Sequence, residues 1–426
     1  MSKYSSFAQL LIQRGLISVS FLLTLTACSS VDHPQSSKQA NEQTAPVNLT
    51  QASQEATLAR ANKATVARPV RAEVKPNPSI APTSWQNSSV ADFAKKTALD
   101  RGIPLAKVQF ILGQARYQST VARLMTPPPP DRAKAVRDWQ VYRQRFVEPI
   151  RIRGGVAFMQ THAQTLQKAE DIYGVPAELI AAIIGIETLY GSNMGDFKVL
   201  DALSTLAFHY PPPIRPDRVK LFQDQLADLI ELDMAGKIDA STQLGSFAGA
   251  IGIPQFMPGS ILRYAVSAQA KQRIDLSNNF DDAILSVANF LVQHGWVKGL
   301  AIYAPISAPP DAAKWVDGGL TPYLKWSELE AAGSKPLTAS TVAVLAVGAG
   351  LAPSKVNVSG VKAPQTLSTV KWQDHLLGVI DLALPKQDTV AYRVGTPNFF
   401  VITQYNRSYF YASAVADLAQ AINASK

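Results

Sequence analysis

Between Val90 and about residue 295 several segments carry apolar residues every three or four positions, the spacing that lays one stripe along an α-helix. Val108, Ile111, Leu112 and Ala115 mark such a stripe within 90–125, and Pro127–Pro130 interrupt it. Trp139–Phe146 (WQVYRQRF), a segment ending near Tyr173, and the segments Val219–Ala235 and Asp281–Gly295 repeat the spacing. Between Leu300 and Val394 the period is lost and Pro, Gly, Val and Thr abound, so short strands and loops are expected there. Further on, Phe400, Ile402 and Gln404 alternate in the manner of a buried strand. The expected class is mainly α, with a small strand-containing part (α+β).

Before Val90 the pattern is of another kind. Lys3 and Arg14 precede one apolar run, Leu16–Leu25, too short to span a bilayer and ending in Leu25-Thr26-Ala27-Cys28. That tetrad resembles a bacterial lipobox, which implies a lipoprotein signal over 1–27 and acylation of Cys28. Cys28 is the sole cysteine, so no intramolecular disulfide can form and a lipid-modified thiol is its most economical use. The plain alternative is a fortuitous cysteine in an ordinary signal. Ser29, with no aspartate at that position, resembles lipoproteins sorted to the outer membrane. Residues 28–88 are rich in Gln, Ala, Ser, Thr, Pro and Asn and read as a flexible tether of about 40 Å r.m.s. reach. The folded part is expected over 89–426.

The net charge of +9 falls slightly once the signal is removed, and no run of like charges stands out. Mild basicity suits an envelope polymer bearing carboxylates, and export argues against nucleic acid. The five histidines, His33, His162, His209, His294 and His375, form no close pair, which disfavours a histidine metal site or a triad. There is no P-loop and no internal repeat.

The candidate chemistry centres on Gly174–Asp201. Pro176 suits a first helical position, and Ile180, Ile183 and Ile184 then define an apolar face. Glu187 projects within roughly 20° of Ile180, so a carboxylate stands where the pattern calls for a hydrophobe. A carboxyl in an apolar setting has its pKa raised, as a general acid working near neutral pH requires. The alternative is a buried Glu paired with an Arg, or a helix-end Glu reaching water. A second stretch, Gly245–Pro258 (GSFAGAIGIPQFMP), has glycines at 245, 249 and 252, with another at 259, and prolines at 254 and 258. These break regular structure and leave backbone groups for an amide-bearing glycan, or else mark a tight structural corner. A third, Asn398–Tyr411, is crowded with aromatic residues suited to stacking on sugars or to core packing.

Glu187 in GIETLYG, LDALSTLAF at 200–208, GSFAGAIGIPQFMP, SVANFLVQHGW at 286–296 and ITQYNRSYFYA at 402–412 together resemble the membrane-bound lytic murein transglycosylase B family, glycoside hydrolase family 103. The resemblance runs from Val90 to the end and is weakest over 300–390. It implies a lysozyme-like helical core with an added helical subdomain and a small strand-containing one. By that resemblance Glu187 aligns with the catalytic acid/base, and Ser246 and Gln255 line the site. Tyr142, Tyr405, Asn406 and Tyr411 would hold the glycan. The implied reaction cleaves the β-1,4 bond between N-acetylmuramic acid and N-acetylglucosamine of peptidoglycan, leaving a 1,6-anhydro end. No cofactor is implied, and no wall-synthesis or division protein is singled out as a partner. A lysozyme-like hydrolase and a non-catalytic wall-binding lipoprotein are the competing readings.

Several positions depart from the family pattern. The tyrosine-proline turn and paired arginines become the longer loop Tyr210–Arg218, in which Arg218 is the better match to a ligand-binding arginine and Arg215 the weaker. Phe290 and Ile253 stand where tyrosines are common. In the segment matching an EF-hand-like loop, Lys271 replaces an aspartate and Gln272 the turn glycine, so no calcium site is expected. Asp196 and Asp201, the acids nearest Glu187 in sequence, are cut off from its helix by Gly191 and Gly195 and read as a cap or surface aspartates.

Overall fold

The computed structural model describes residues 88–126, 137–212, 215–269, 273–337 and 370–426. Cys28, the signal, nearly all of the tether, Pro127–Pro130, Lys271 and Gln272 lie outside the described residues. The N-terminal helices are α1 (Ser88–Arg101), α2 (Leu105–Gly113) and α3 (Ser119–Met125). Then come α4 (Trp139–Phe146), α5 (Pro149–Thr161), α6 (Ala163–Tyr173) and α7 (Ala177–Thr188). The starts of α4 and α5 are written locally. Asp138 accepts from the Val141 amide, and Glu148, followed by Pro149, accepts from the Ile150 and Arg151 amides. Gly174, at φ 66°, ends α6 in the left-handed conformation that glycine adopts without strain.

Pro176 is the residue before α7 rather than its first member, since its ψ of 138° is extended. From Leu179 to Thr188 every residue of α7 is buried. The helix is therefore central and has no solvent face, which is why its Ile positions look like a stripe only in part. Helix α8 (Val199–Phe208), α9 (Pro216–Met234) and α10 (Pro258–Tyr264) follow, then α11 (Phe280–Gln293), α12 (Trp326–Ala331), α13 (Pro397–Tyr405) and α14 (Tyr409–Asn423). Helices α5, α6, α11 and α14 pack around α7, while α1 and α3 pack on the α8–α9 pair.

Strand content is small, as expected. β1 (Phe197–Lys198) pairs antiparallel with β2 (Leu244–Gly245), and β3 (Gly378–Leu384) forms a hairpin with β4 (Thr389–Gly395) in the register Gly378↔Gly395 to Leu384↔Thr389. The two faces of β3 serve two cores. Ile380 and Leu382 join the main one, while Val379 joins a satellite cluster with Leu324, Leu329, Leu377 and Val394.

The strand expected at Phe400, Ile402 and Gln404 is instead the helix α13. Thr396 caps it through the Asn398 amide, Pro397 opens it, and Asn398–Thr403 are all buried. A short helix enclosed on every side carries no 3.6-residue stripe, so alternation over five residues misreads it.

Candidate active site

Glu187 stands one residue before the end of α7, with 6% of its surface exposed. Its Oε1 accepts a 2.7 Å hydrogen bond from the Tyr411 hydroxyl. Tyr411 lies in the first turn of α14, which Ser408 caps, and is fully buried. Tyr405, at the end of α13, stacks near-parallel beside it, with ring centroids 6.3 Å apart, and donates to the Pro254 carbonyl at 2.6 Å. Burial pushes both phenols well above the ordinary tyrosine range, and the charge of Glu187 adds to the rise. Both hydroxyls are thus fixed donors at any working pH. Tyr142 on α4 packs against Phe146 and Phe410 and lies near enough to Tyr411 to influence its ionisation.

Ser246 and Gln255 are buried in the glycine-rich stretch. The sequence leaves two readings of that stretch, free backbone groups for a glycan or a tight corner, and its backbone largely satisfies itself. Ser246 N bonds Ala250 O, Gly249 N bonds Ser246 O, Ile251 and Phe256 form a bridge, and Ile253 N reaches Leu276 O. The Ser246 hydroxyl accepts from the Ala250 amide, and the Gln255 side-chain amide donates to Met194 O and Gly252 O. The tight-corner alternative therefore describes the backbone better. Its closeness is explicit at Gly195, where a Cβ would lie 2.2 Å from Gly245 O. Gly259 lies beyond the corner, inside α10.

The end of α7 is anchored to this corner. Thr188 Oγ1 donates to Ile253 O at 2.8 Å and accepts from the Gly191 amide. Leu189 and Tyr190, at φ 49° and 57°, adopt the left-handed conformation that costs a non-glycine residue about 1–2 kcal/mol. Arg151 Nε donates to Gly185 O, a cation meeting the carbonyl end of the Glu187 helix. Sequence reading gave Thr188, Tyr190 and Arg151 no role. The available signal was the company Tyr190 keeps in GIETLYG, a large side chain beside a glycine just past a helix end.

The remaining candidates divide between this junction and other parts of the fold. Asn406 is buried just past α13. Phe290, where a tyrosine is common, packs 4.8 Å from the Tyr405 ring, and Ile253 is buried. Arg218 is buried in the first turn of α9 and lies close to the Tyr210 phenol, just past the far end of α8 from β1. The ten residues of α8 are roughly 15 Å of helix. Asp196 is exposed. Asp201 corrects the expectation of a surface or capping aspartate: it is 3% exposed and accepts from Arg116 N at 2.8 Å and Gln118 Nε2 at 3.1 Å, fastening the loop between α2 and α3. In the EF-hand-like segment, Asp275 accepts from the Ser277 and Asn278 amides, and the two oxygens of Asp282 accept from Ala268 N and Asp275 N. Among the described residues no group of three or more His, Cys, Asp or Glu is placed to hold a metal ion.

Comparison with known proteins bears on this arrangement. The transglycosylase SLT domain pattern matches residues 85–420. Membrane-bound lytic murein transglycosylase B of Escherichia coli (strain K12) is 34% identical over 345 residues, 79% of this chain and 83% of that protein. The soluble lytic transglycosylase SltB1 from Pseudomonas aeruginosa superposes with a TM-score of 0.64 at 33% identity, covering 79% of this chain and 99% of that one. SltB3 from the same organism, solved in complex with NAG-NAM-pentapeptide, superposes with a TM-score of 0.60 at 25% identity over 80% of each chain. With its lysozyme-like helical core, its added helices and its small hairpin subdomain, the chain belongs to the transglycosylase SLT domain family.

Proposed function

We propose that this protein is a peptidoglycan lytic transglycosylase in which Glu187 alone serves as acid and then base. The observation that carries the reading is the buried Glu187 carboxyl, hydrogen-bonded by Tyr411 in the fold of a family whose relatives bear the name lytic transglycosylase. The peptidoglycan fragment bound to SltB3 supports the substrate class. In the first step protonated Glu187 gives its proton to the glycosidic oxygen. The bond from C1 of N-acetylmuramic acid to O4 of N-acetylglucosamine breaks, the latter leaves with the proton on O4, and the 2-acetamido group stabilises the cation at C1. In the second step the Glu187 carboxylate takes the proton of the C6 hydroxyl while O6 bonds C1, so the acid is regenerated and the 1,6-anhydro ring closes. Proton transfer by a placed carboxyl contributes on the order of 10²–10⁴ in rate.

In this reading Tyr411 orients the carboxyl, and Tyr405 holds the glycine-rich corner to the same junction. Ser246 and Gln255 shape the wall beside it, and Tyr142, Asn406 and Arg218 are assigned to the glycan or its stem peptide. A hydrolase using two carboxyl groups would need the second at roughly 5–9.5 Å. Of the two acids nearest Glu187 in sequence, Asp201 is committed to Arg116 and Gln118, and Asp196 is exposed. Digestion of purified sacculi should therefore release fragments ending in 1,6-anhydro-N-acetylmuramic acid, one water lighter by mass than hydrolysis products. Reducing N-acetylmuramic acid as the dominant new end would replace this reading with the lysozyme-like one.

Among the described residues no helix is long and apolar enough to cross a membrane. The E. coli relative carries membrane-bound in its name. Acylation of Cys28 would supply such attachment, placing the catalytic part on a tether at the outer membrane, facing the periplasm. Cys28→Ser should shift the protein from the detergent-extracted fraction to the soluble one, or leave its signal uncleaved. Unchanged partitioning, with no acyl mass on the wild-type peptide, counts against the anchor.

A further inference from the structure

Tyr190, three residues beyond Glu187, turns back along α7 instead of leading away from it. Leu189, Tyr190 and Gly191 all have positive φ, and this reversal carries the Tyr190 ring to Gly185, two residues before Glu187. A Cβ on Gly185 would lie 2.5 Å from the Tyr190 hydroxyl oxygen. One on Gly154 would lie 2.6 Å from the ring, and one on Gly155 would lie 2.8 Å from the hydroxyl and 2.4 Å from Ile422. Side-chain carbons do not approach so closely, so the ring occupies a slot that only these three glycines leave open. Glycine weakens a helix interior, and α5 carries two in succession. The bottom of the slot is polar: the Tyr190 hydroxyl donates to Arg151 O at 2.6 Å, and Arg151 Nε donates to Gly185 O at 3.2 Å. Phe158 closes one side of the ring at 5.4 Å. The slot lies where α5 and α7 meet α14, the helix that supplies both Ile422 and Tyr411.

We propose that Tyr190 is a positioning residue for the reaction: seated in the slot of Gly154, Gly155 and Gly185, it sets the last turn of α7 and so the placement of the Glu187 carboxyl against Tyr411. The inference rests on the reading of Glu187 as the acid. A misplacement of about 1 Å can cost on the order of 10² in rate with binding intact. Two changes act on the slot without touching Glu187. Tyr190→Phe keeps the ring and removes its bond to Arg151, and Gly185→Ala pushes the ring out. Leu226→Ala, a fully buried change on α9, supplies a loss of stability away from the slot.

Turnover of sacculi should be measured well below each melting temperature, together with binding of a defined glycan. Tyr190→Phe is expected to lower kcat about 3- to 10-fold, and Gly185→Ala roughly 10²-fold, each with KM within about threefold of wild type. Leu226→Ala should melt earlier yet keep its kcat. Wild-type kcat in the two slot variants, while Glu187→Gln is inactive, overturns the positioning role and leaves the acid assignment standing. A fall in kcat that tracks melting temperature in all three variants, Leu226→Ala included, overturns it also. Near wild-type turnover by Glu187→Gln removes the acid reading, and the positioning role with it.

Discussion

The end of α7 and the start of α11 each bury a carboxylate, and the two are built for opposite ends. Asp282 is 1% exposed, and its two oxygens accept backbone amides at 2.7 and 2.8 Å from a loop it thereby clamps. Glu187 is 6% exposed and accepts a hydrogen bond from a phenol on another helix. Two peptide donors tie the Asp282 carboxylate to that loop, and removing the carboxylate would leave both amides without their acceptor. A phenol whose pKa burial pushes well up can hold a carboxyl in place while letting it gain and lose a proton. Burial is common to both carboxylates, so in the proposed reading it is the phenol donor that suits Glu187 to proton transfer.

The largest expected effect tests the Glu187 side of this contrast. Glu187→Gln keeps the shape and the acceptor oxygen facing Tyr411 but cannot transfer a proton. Turnover of sacculi should drop by at least 10²–10⁴-fold, while glycan binding and the melting temperature stay near wild type. Near-native turnover would end the assignment. On the other side, Asp282→Ala leaves the Ala268 and Asp275 amides without their acceptor, at a cost of about 1–3 kcal/mol. The urea midpoint should fall with an unchanged slope, and kcat at low temperature should hold. Loss of kcat without loss of stability would show that the clamp and the acid are not separable.

The same contrast explains what was legible in the sequence. Helix α4 could be placed from Trp139 to Phe146 because Asp138 caps its start within three residues, so local chemistry fixes it. Glu187 stood out because a carboxylate interrupts Ile180, Ile183 and Ile184, a conflict between charge and pattern visible at short range. Asp282 was invisible because its donors, Ala268 and Asp275, are loop amides, which every residue but proline carries. Asp201 was misjudged for the same reason, its donors being Arg116 and Gln118 from a loop 83 to 85 residues earlier in the chain. The glycine-rich corner was legible as a break in regular structure. That its amides return to Ala250, Ser246 and Leu276 depends on close approach of backbones, which composition does not encode. Tyr190 was hidden because its slot is made of absent side chains on two helices, Gly154 and Gly155 on α5 and Gly185 on α7.

The smallest effect sharpens the picture at the start of α11, where His162 stacks on Phe280 at 4.7 Å. Burial lowers the His162 pKa from its ordinary 6.5, and neighbouring Asp281 opposes the shift only in part. A histidine whose folded pKa is depressed is protonated more readily when unfolded, so protons favour the unfolded chain. Its contribution to stability is whole above pH about 6.5 and is lost as pH falls through that value and below. His209 is lowered by burial as well and titrates in the same window, so total stability does not isolate His162. The difference between wild type and His162→Phe does, because phenylalanine keeps the stack and carries no proton. Melting temperature should decline more for wild type than for His162→Phe between pH 8 and pH 5, and Asp281→Asn should steepen the wild-type decline by removing the charge that favours the imidazolium. Parallel curves for wild type and His162→Phe would mean that the start of α11 holds its histidine without regard to charge.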